Sequence, residues 1–409
     1  MNTMPLKVSS TQVNTKAQEK LPLMIKVVLF FSLVSIGVKG QVFGFNMSGI
    51  SWFVPLIVSC FIIGQRVKRV SFPVIIWLPW LFLLIGHLFF VDYRLIDPRV
   101  IPIQRSLQIL TPLAVGMAVS TYRPSIMLVM RFFDVLRLFS YCLIVCQLTW
   151  GNLLSFRAFA AENMLVLLLC VVFANRYLMF KELKDLQLWL ILGGIPLLSV
   201  TRTVIANTLL TFPLAFTSTT LTRRLFFLGL ICIGGIGIFQ LPQVQEKMFF
   251  SGEGKLSDVG RSDDFATSGR SAMWERLYNE AQNAPLLGHG TGAGETLTYA
   301  FAPVGYPHND WLLTYFDYGI LGVIILLVSI LLTLWHGIRA QRKTKDKNIK
   351  LLFMAGLSAF IPFMMVMYTD NILVYASFFG MLHYTILGFG YAVLKTEKNA
   401  RLSQRIPIN

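Results

Sequence analysis

Apolar runs of about 17 to 23 residues, each sufficient for one bilayer crossing, recur along almost the whole chain with short polar stretches between them. Read for length and hydropathy, they predict about twelve spans. These lie near residues 22–38, 42–64, 73–91, 101–119, 133–150, 158–175, 187–200, 204–221, 225–241, 312–334, 350–368 and 372–394. The fifth opens on Arg131, Asp134 and Arg137, and the seventh is short. One long polar interval, 242–311, breaks the rhythm. It opens with "LPQVQEKMFFSGEGKLSDVGRSDDFATSG", a composition of turns and loops. The stretch "GRSAMWERLYNEAQNAPLLGHG" that follows sets Ala272, Leu277 and Ala281 at helical spacing, between a serine-containing start and a proline–glycine stop. It predicts a short amphipathic helix near 271–283, on or near the membrane surface. The expected fold is an all-α polytopic membrane protein. Residues 1–241 carry spans one to nine, 242–311 form the long loop, and 312–409 carry spans ten to twelve and a polar tail. The polar, mildly basic residues 1–20 precede an apolar run without a small-residue cleavage site, which predicts a retained first helix.

Charge orders the loops. The N-terminal tail, "QRVKRV" at 65–70, Arg123 with Arg131, "NRYLMFKELKD" at 175–185, Arg223 with Arg224, "RAQRKTKDKNIK" at 339–350, and Lys395, Lys398, Arg401 and Arg405 all fall on one side of a twelve-span topology. Basic loops face the cytoplasm, so both termini are expected inside and the 242–311 loop outside, in a bacterium at the periplasm. Topology thus accounts for the formal charge of +16 without nucleic acid, for which no aromatic-basic groove or known module is present. Apolar residues make up 55% and charged residues 14%, which excludes a soluble multidomain chain. The five cysteines lie in apolar segments and read as small core residues. His87, His289, His336 and His383 lack ligand-like spacing, so no metal site is expected.

Several polar residues stand where charge is costly, at the outer mouths of spans, and are functional candidates by default. They are Arg202 in the turn between spans seven and eight, Arg157 and Asn163 at the outer start of span six, Arg99 and Arg105 around the start of span four, and Asp370 between spans eleven and twelve. In "GYPHNDWLLTYFDYGILG" (305–322), His308 stands just ahead of span ten and Asp317 further in. Guanidinium forks bind phosphate oxygens, and imidazole, with an ordinary pKa of about 6.5, takes a proton from a hydroxyl near neutrality. The set suits an anionic lipid headgroup, above all a diphosphate, with Asp317 or Asp370 orienting the imidazole. The bland readings are lipid-snorkelling arginines and, for Asn309 or Asp310, a helix cap. "GHGTGAG" (288–294) lacks the Lys-Ser/Thr of a P-loop and is expected to be a flexible connector.

The run "GRSAMWERLYNEAQNAPLLGHGTGAG" followed by "PHNDWLLTYFDYGILG" resembles the signature of the O-antigen ligase and polysaccharide polymerase superfamily. The Gly-Arg-x-x-x-Trp helix is Gly269, Arg270 and Trp274, and the Pro-Leu-x-Gly-x-Gly turn is Pro285, Leu286, Gly288 and Gly290. The His-Asn-x-x-Leu start is His308, Asn309 and Leu312, with Gly319 and Gly322 closing the pattern. Asp317 stands where Glu is commoner, and Thr201 with Arg202 matches the family's Thr/Ser-Arg turn. The resemblance implies a metal-independent, cofactor-free glycosyltransferase of the bacterial inner membrane, acting at its periplasmic face. Its donor is a glycan on undecaprenyl diphosphate and its acceptor a sugar hydroxyl. His308 would be general base or acceptor-orienting group, and Arg202, Arg157 and Arg270 would hold the diphosphate. Asn309, Asp317 and Asp370 would support them, and Trp274 and Tyr306 would stack on sugars or pack the loop. The acceptor is a lipid-linked repeat unit in a polymerase, the reading the motif favours, or lipid A-core in a ligase. Chain-length regulators and flippases are the partner proteins such a role implies. A lipid-glycan transporter would also want arginines, but would line its spans with charge, and here the span interiors are apolar.

Overall fold

Long apolar segments leave the backbone one way to satisfy its polar groups in a bilayer, as helix, and the chain takes it. The structure, a computed structural model, describes residues 20–37, 41–42, 45–154, 162–217, 220–259, 266, 269–302 and 305–403. Among these the regular structure is helical, apart from one two-residue antiparallel pair, Gln41–Val42 with Phe45–Asn46, and an isolated bridge at Phe249. The helices are α1 (Leu23–Gly37), α2 (Met47–Arg66), α3 (Leu78–Phe90), α4 (Pro102–Ser120), α5 (Ile126–Leu154), α6 (Glu162–Phe180), α7 (Leu183–Leu198), α8 (Arg202–Leu210), α9 (Leu221–Phe239), α10 (Pro242–Met248), α11 (Arg270–Ala281), α12 (Ala293–Phe301), α13 (Asp310–Gln341), α14 (Lys347–Ser358), α15 (Phe360–Met367) and α16 (Met381–Ser403). Arg157 falls outside the described residues.

Six helical stretches among the described residues are long and apolar enough to cross a membrane: Gly49–Arg69, Glu162–Phe180, Leu221–Phe239, Asp310–Gln341, Lys347–Met367 and Ala376–Ser403. Leu23–Ile36 and Val74–Phe90 are apolar but shorter. The eighth predicted span, 204–221, is instead the nine-residue α8, about 14 Å long, followed by turns. Pro213 three residues past its end explains the stop, since proline removes an N–H and disfavours helix at the residue before it.

α6 is buried on nearly every face, from Glu162 through Arg176, as a helix apolar all round should be. Against it pack α7, α8 and α14, while α16 lies along α4. That second crossing is close: a side chain at Gly388 would come within 2.3 Å of the Gly116 carbonyl oxygen, the small-residue contact typical of membrane helices. By contrast α9 buries only Phe239, so its apolar flanks face outward. The cysteines divide the same way. Cys170 is a core residue, but Cys60, Cys142 and Cys232 sit on exposed helix faces, where small apolar side chains can meet lipid. Arg137 within α5 and Arg176 near the end of α6 both grip the fully buried Asp185 at the start of α7, at 2.9 and 3.1 Å, and Asp134 lies 3.4 Å from Arg137. These pairs account for Asp134 and Arg137 in the fifth predicted span.

In the long interval, α11 buries Met273, Leu277 and Ala281, a stripe of i, i+4, i+8. The expected Ala272 is exposed, one position off the stripe. The stripe packs on Phe316, with Leu312 and Tyr315 of α13 and Leu297 of α12 beside it, so the apolar face of α11 is covered by protein.

α13 is broken at Gly319, whose φ of 64° and ψ of −171° are not helical. The loop 285–290 inserts at the break. His289 N–H donates to the Phe316 carbonyl at 2.9 Å and Gly290 N–H to that of Asp317 at 2.9 Å. Ile320 N–H donates to Pro285 at 2.8 Å and Leu321 N–H to Leu286 at 3.3 Å. An unbroken helix would pair residues 320 and 321 with 316 and 317; here the loop takes both sides of that exchange.

Candidate active site

His308 sits between Pro307 and the start of α13 with a left-handed φ of 51°, uncommon for a residue with a Cβ. Its neighbours pin it there. Trp274 Nε1–H donates to the Pro307 carbonyl at 2.6 Å. Asn309 Oδ1 accepts from Leu312 N–H at 3.0 Å and caps α13. The fully buried Asp310 accepts from Leu373 N–H at 2.7 Å, tying the helix start to the 370–375 turn. The indole of Trp274 meets Tyr368 edge-on at 5.6 Å. Trp274 therefore braces the loop, and it does not line the cavity described below.

Of the two carboxylates expected to orient the imidazole, Asp370 does so: its Oδ1 lies 3.1 Å from His308 Nδ1. The same oxygen accepts from Asn371 N–H at 2.8 Å and Tyr375 O–H at 3.1 Å. Burial pushes the Asp370 carboxyl up, but the His308 bond, the Asn371 N–H and the charges of His308 and Arg270 outweigh it and hold it below the usual range. Asp317 faces elsewhere. Its oxygens accept from Gly292 N–H at 2.9 Å and Gly294 N–H at 2.8 Å. The "GHGTGAG" stretch is therefore a cradle of backbone N–H groups around the protein's own carboxylate, and it leads directly into α12. The expectation of a flexible connector is corrected, and it is Asp370, not Asp317, that meets the imidazole.

Two arginines continue the line from Asp370. Arg270 Nη1 donates to the Thr369 carbonyl at 2.9 Å, beside Asp370. Arg202 donates through Nη1 and Nη2 to the Ala266 carbonyl, 3.3 Å each. Burial, and then the nearby Arg270 charge, lower the Arg202 pKa. Two guanidiniums held within electrostatic reach of each other make a positive field suited to an anion. Asn163 fixes the turn ahead of Arg202 through Ser199 Oγ and Thr201 Oγ1, both at 2.8 Å.

Each end of this line meets a hollow. His308 lines a cavity of about 490 Å³ with Arg105, Gln104, Gln108, Trp52, Tyr306, Asn371 and Tyr375. Among the described residues Arg202 is the one charged residue on a groove of about 500 Å³ between α8, α9 and α10, otherwise lined by Ile205, Leu209, Ile231, Ile236, Phe239 and other apolar residues. Tyr306 borders the first cavity with its ring under the Arg105 guanidinium, 5.1 Å away. Arg105 is itself neutralised by a bidentate pair with Glu295, at 2.8 and 2.7 Å. Arg99 is paired with Asp97 at 2.8 Å and stacks on Tyr299 at 3.9 Å, away from His308. Glu295, Asn371 and Tyr375 were not singled out by the sequence. Among the described residues no group of three or more His, Cys, Asp or Glu is placed to hold a metal ion.

Residues 187–327 match the sequence profile of the O-antigen ligase family. A comparison with curated proteins gives no significant match. The matched stretch contains Arg202, Arg270, Trp274, His308, Asp317 and the Gly319 break, so this part of the chain is similar to the O-antigen ligase family and supports the resemblance to the ligase and polysaccharide polymerase superfamily.

Proposed function

We propose that this protein is an inner-membrane glycosyltransferase that moves a glycan from undecaprenyl diphosphate to a sugar hydroxyl at the periplasmic face, and that it polymerises surface-polysaccharide repeat units. The observation that carries the reading is the line from a polar cavity through His308, Asp370, Arg270 and Arg202 to an apolar groove. Its parts match those of the donor. The groove suits a polyprenyl tail, the guanidiniums a diphosphate, and the cavity, with its amide and aromatic lining, a sugar.

The chemistry follows from that order. The acceptor oxygen bonds to the anomeric carbon of the donor as the bond from that carbon to the diphosphate oxygen breaks. His308 Nδ1 is engaged by Asp370, so Nε2 takes the hydroxyl proton, and Asp370 stabilises the imidazolium. Charge growing on the leaving diphosphate is met by Arg202 and Arg270, a fixed field that needs no rearrangement. Arg157, from the sequence, is a third candidate for that clamp. The clustering of basic residues in the other loops, expected to face the cytoplasm, supports a periplasmic place for this site.

The test uses purified protein in nanodiscs with undecaprenyl-diphosphate repeat units as the sole substrate in metal-free buffer. A ladder of longer lipid-linked glycans is expected. Transfer only after lipid A-core is added would make the protein a ligase. Silence in both, from folded protein, would overturn the transferase reading.

A further inference from the structure

Just past the end of α13 remote from His308, the turn at Lys343, the second half of α16 and the segment at Ser71 enclose another hollow, of about 420 Å³. Lys343, Lys395, Lys398 and Arg401 line it, with Tyr391 and a single carboxylate, Glu397. Glu397 is engaged by Arg401 one helical turn away. No described carboxylate lies within ion-pair distance of Lys343, Lys395 or Lys398. Three ammonium groups converging on one concavity repel one another unless an anion sits among them. Cytoplasmic orientation accounts for how many basic residues a loop carries. It does not require Lys343, in the turn after α13, and the basic residues of α16 to face one cleft.

Depth identifies the anion. α16 carries no Lys, Arg, Asp or Glu before Lys395, and α13 none between Asp317 and Arg339. The cleft therefore opens where hydrocarbon gives way to headgroups, with Leu394 on its wall available to an acyl chain. The Tyr391 hydroxyl is fixed by His336 Nδ1 at 2.8 Å, which stiffens the floor. We propose that this cleft binds the phosphate of an anionic phospholipid headgroup. The chemistry is that of basic pockets between spans at cytoplasmic surfaces, and it is independent of the transferase reading.

Native mass spectrometry of the full chain, released from nanodiscs of equal phosphatidylglycerol and phosphatidylethanolamine, tests it. Wild-type protein is expected to retain phosphatidylglycerol after mild activation. A Lys343→Gln, Lys395→Gln, Lys398→Gln variant is expected to retain at least tenfold less at an unchanged melting temperature. A control that loses three charges elsewhere, Lys68→Gln, Lys184→Gln, Arg223→Gln, is expected to bind as wild type. Equal retention by the cleft variant, or equal loss by the control, overturns the site. Displacement of the lipid by micromolar inorganic diphosphate would assign the cleft to a soluble phosphate compound and overturn the lipid.

Discussion

Replacing Asp370 with asparagine separates charge from geometry at the imidazole. All three described hydrogen bonds to this side chain, from His308, Asn371 and Tyr375, converge on Oδ1, and an amide oxygen can accept them equally well. The variant therefore keeps the arrangement and removes only the negative charge. At the observed 3.1 Å, a full ion pair is worth about 5 kcal/mol at an effective dielectric near 20. The imidazole becomes charged only as it takes the proton, and the His308 side chain is 28% exposed, so about half of that is expected in the transition state. A loss of about 2–3 kcal/mol corresponds to a kcat lower by roughly 30- to 160-fold, with KM little changed, because a general base gains its proton only on the way to the transition state. Initial rates in nanodiscs across donor and acceptor concentrations measure both parameters, with His308→Ala as the inactive reference. Asp370→Asn turning over at the wild-type rate while His308→Ala is dead would refute the pairing. A rise in KM alone would move Asp370 from catalysis to binding.

Arg202→Lys keeps a positive charge but loses the planar fork that reaches toward the 266 region, so turnover should fall about 10- to 100-fold; binding of a polyprenyl-diphosphate analogue, followed by fluorescence, should weaken with it. Gly319→Ala puts a Cβ 2.2 Å from the Leu286 carbonyl oxygen at a positive φ, and should cost at least about 2 kcal/mol, read as a lower melting temperature in detergent. Because the Asp370 carboxyl is depressed in the folded protein, its contribution to stability is present above its unfolded value, about 3.9, and is lost as pH falls through the lower folded value. Acid melting curves of wild type should therefore steepen below about pH 4 relative to Asp370→Asn. Trp274→Phe deletes the 2.6 Å bond to Pro307 and should slow transfer about tenfold, an ordinary hydrogen bond's worth, without altering membrane insertion.

The helices were legible because lipid-facing and core-facing positions are both apolar, and a run of such residues announces itself. The length of α8 was not, since its apolar residues continue past Leu210 and only Pro213 marks the stop. His308, Arg202, Arg270 and Asp370 were visible as costly charge at span ends. Their pairing was hidden, because His308 and Asp370 stand 62 residues apart and nothing local distinguishes Asp370 from Asp317 as the partner. Glu295 escaped notice inside a glycine-rich stretch. A glycine admits many backbone conformations, and only the folded chain reveals that Gly290 and Gly292, at φ of 99° and 86°, are used for one. The buried stripe of α11 was displaced by a single residue, from Ala272 to Met273, an error that an alanine's weak apolar signal invites.

The exchange of backbone bonds around Gly319 restricts how substrates can enter. If residues 285–290 lifted away, the N–H groups of Ile320 and Leu321 and the carbonyls of Phe316 and Asp317 would lose their partners together. Each is costly to strand near hydrocarbon, at about 1–3 kcal/mol. This part of the long interval therefore acts as a fixed jamb. Whatever opening admits a lipid-borne sugar must leave these four backbone pairings closed.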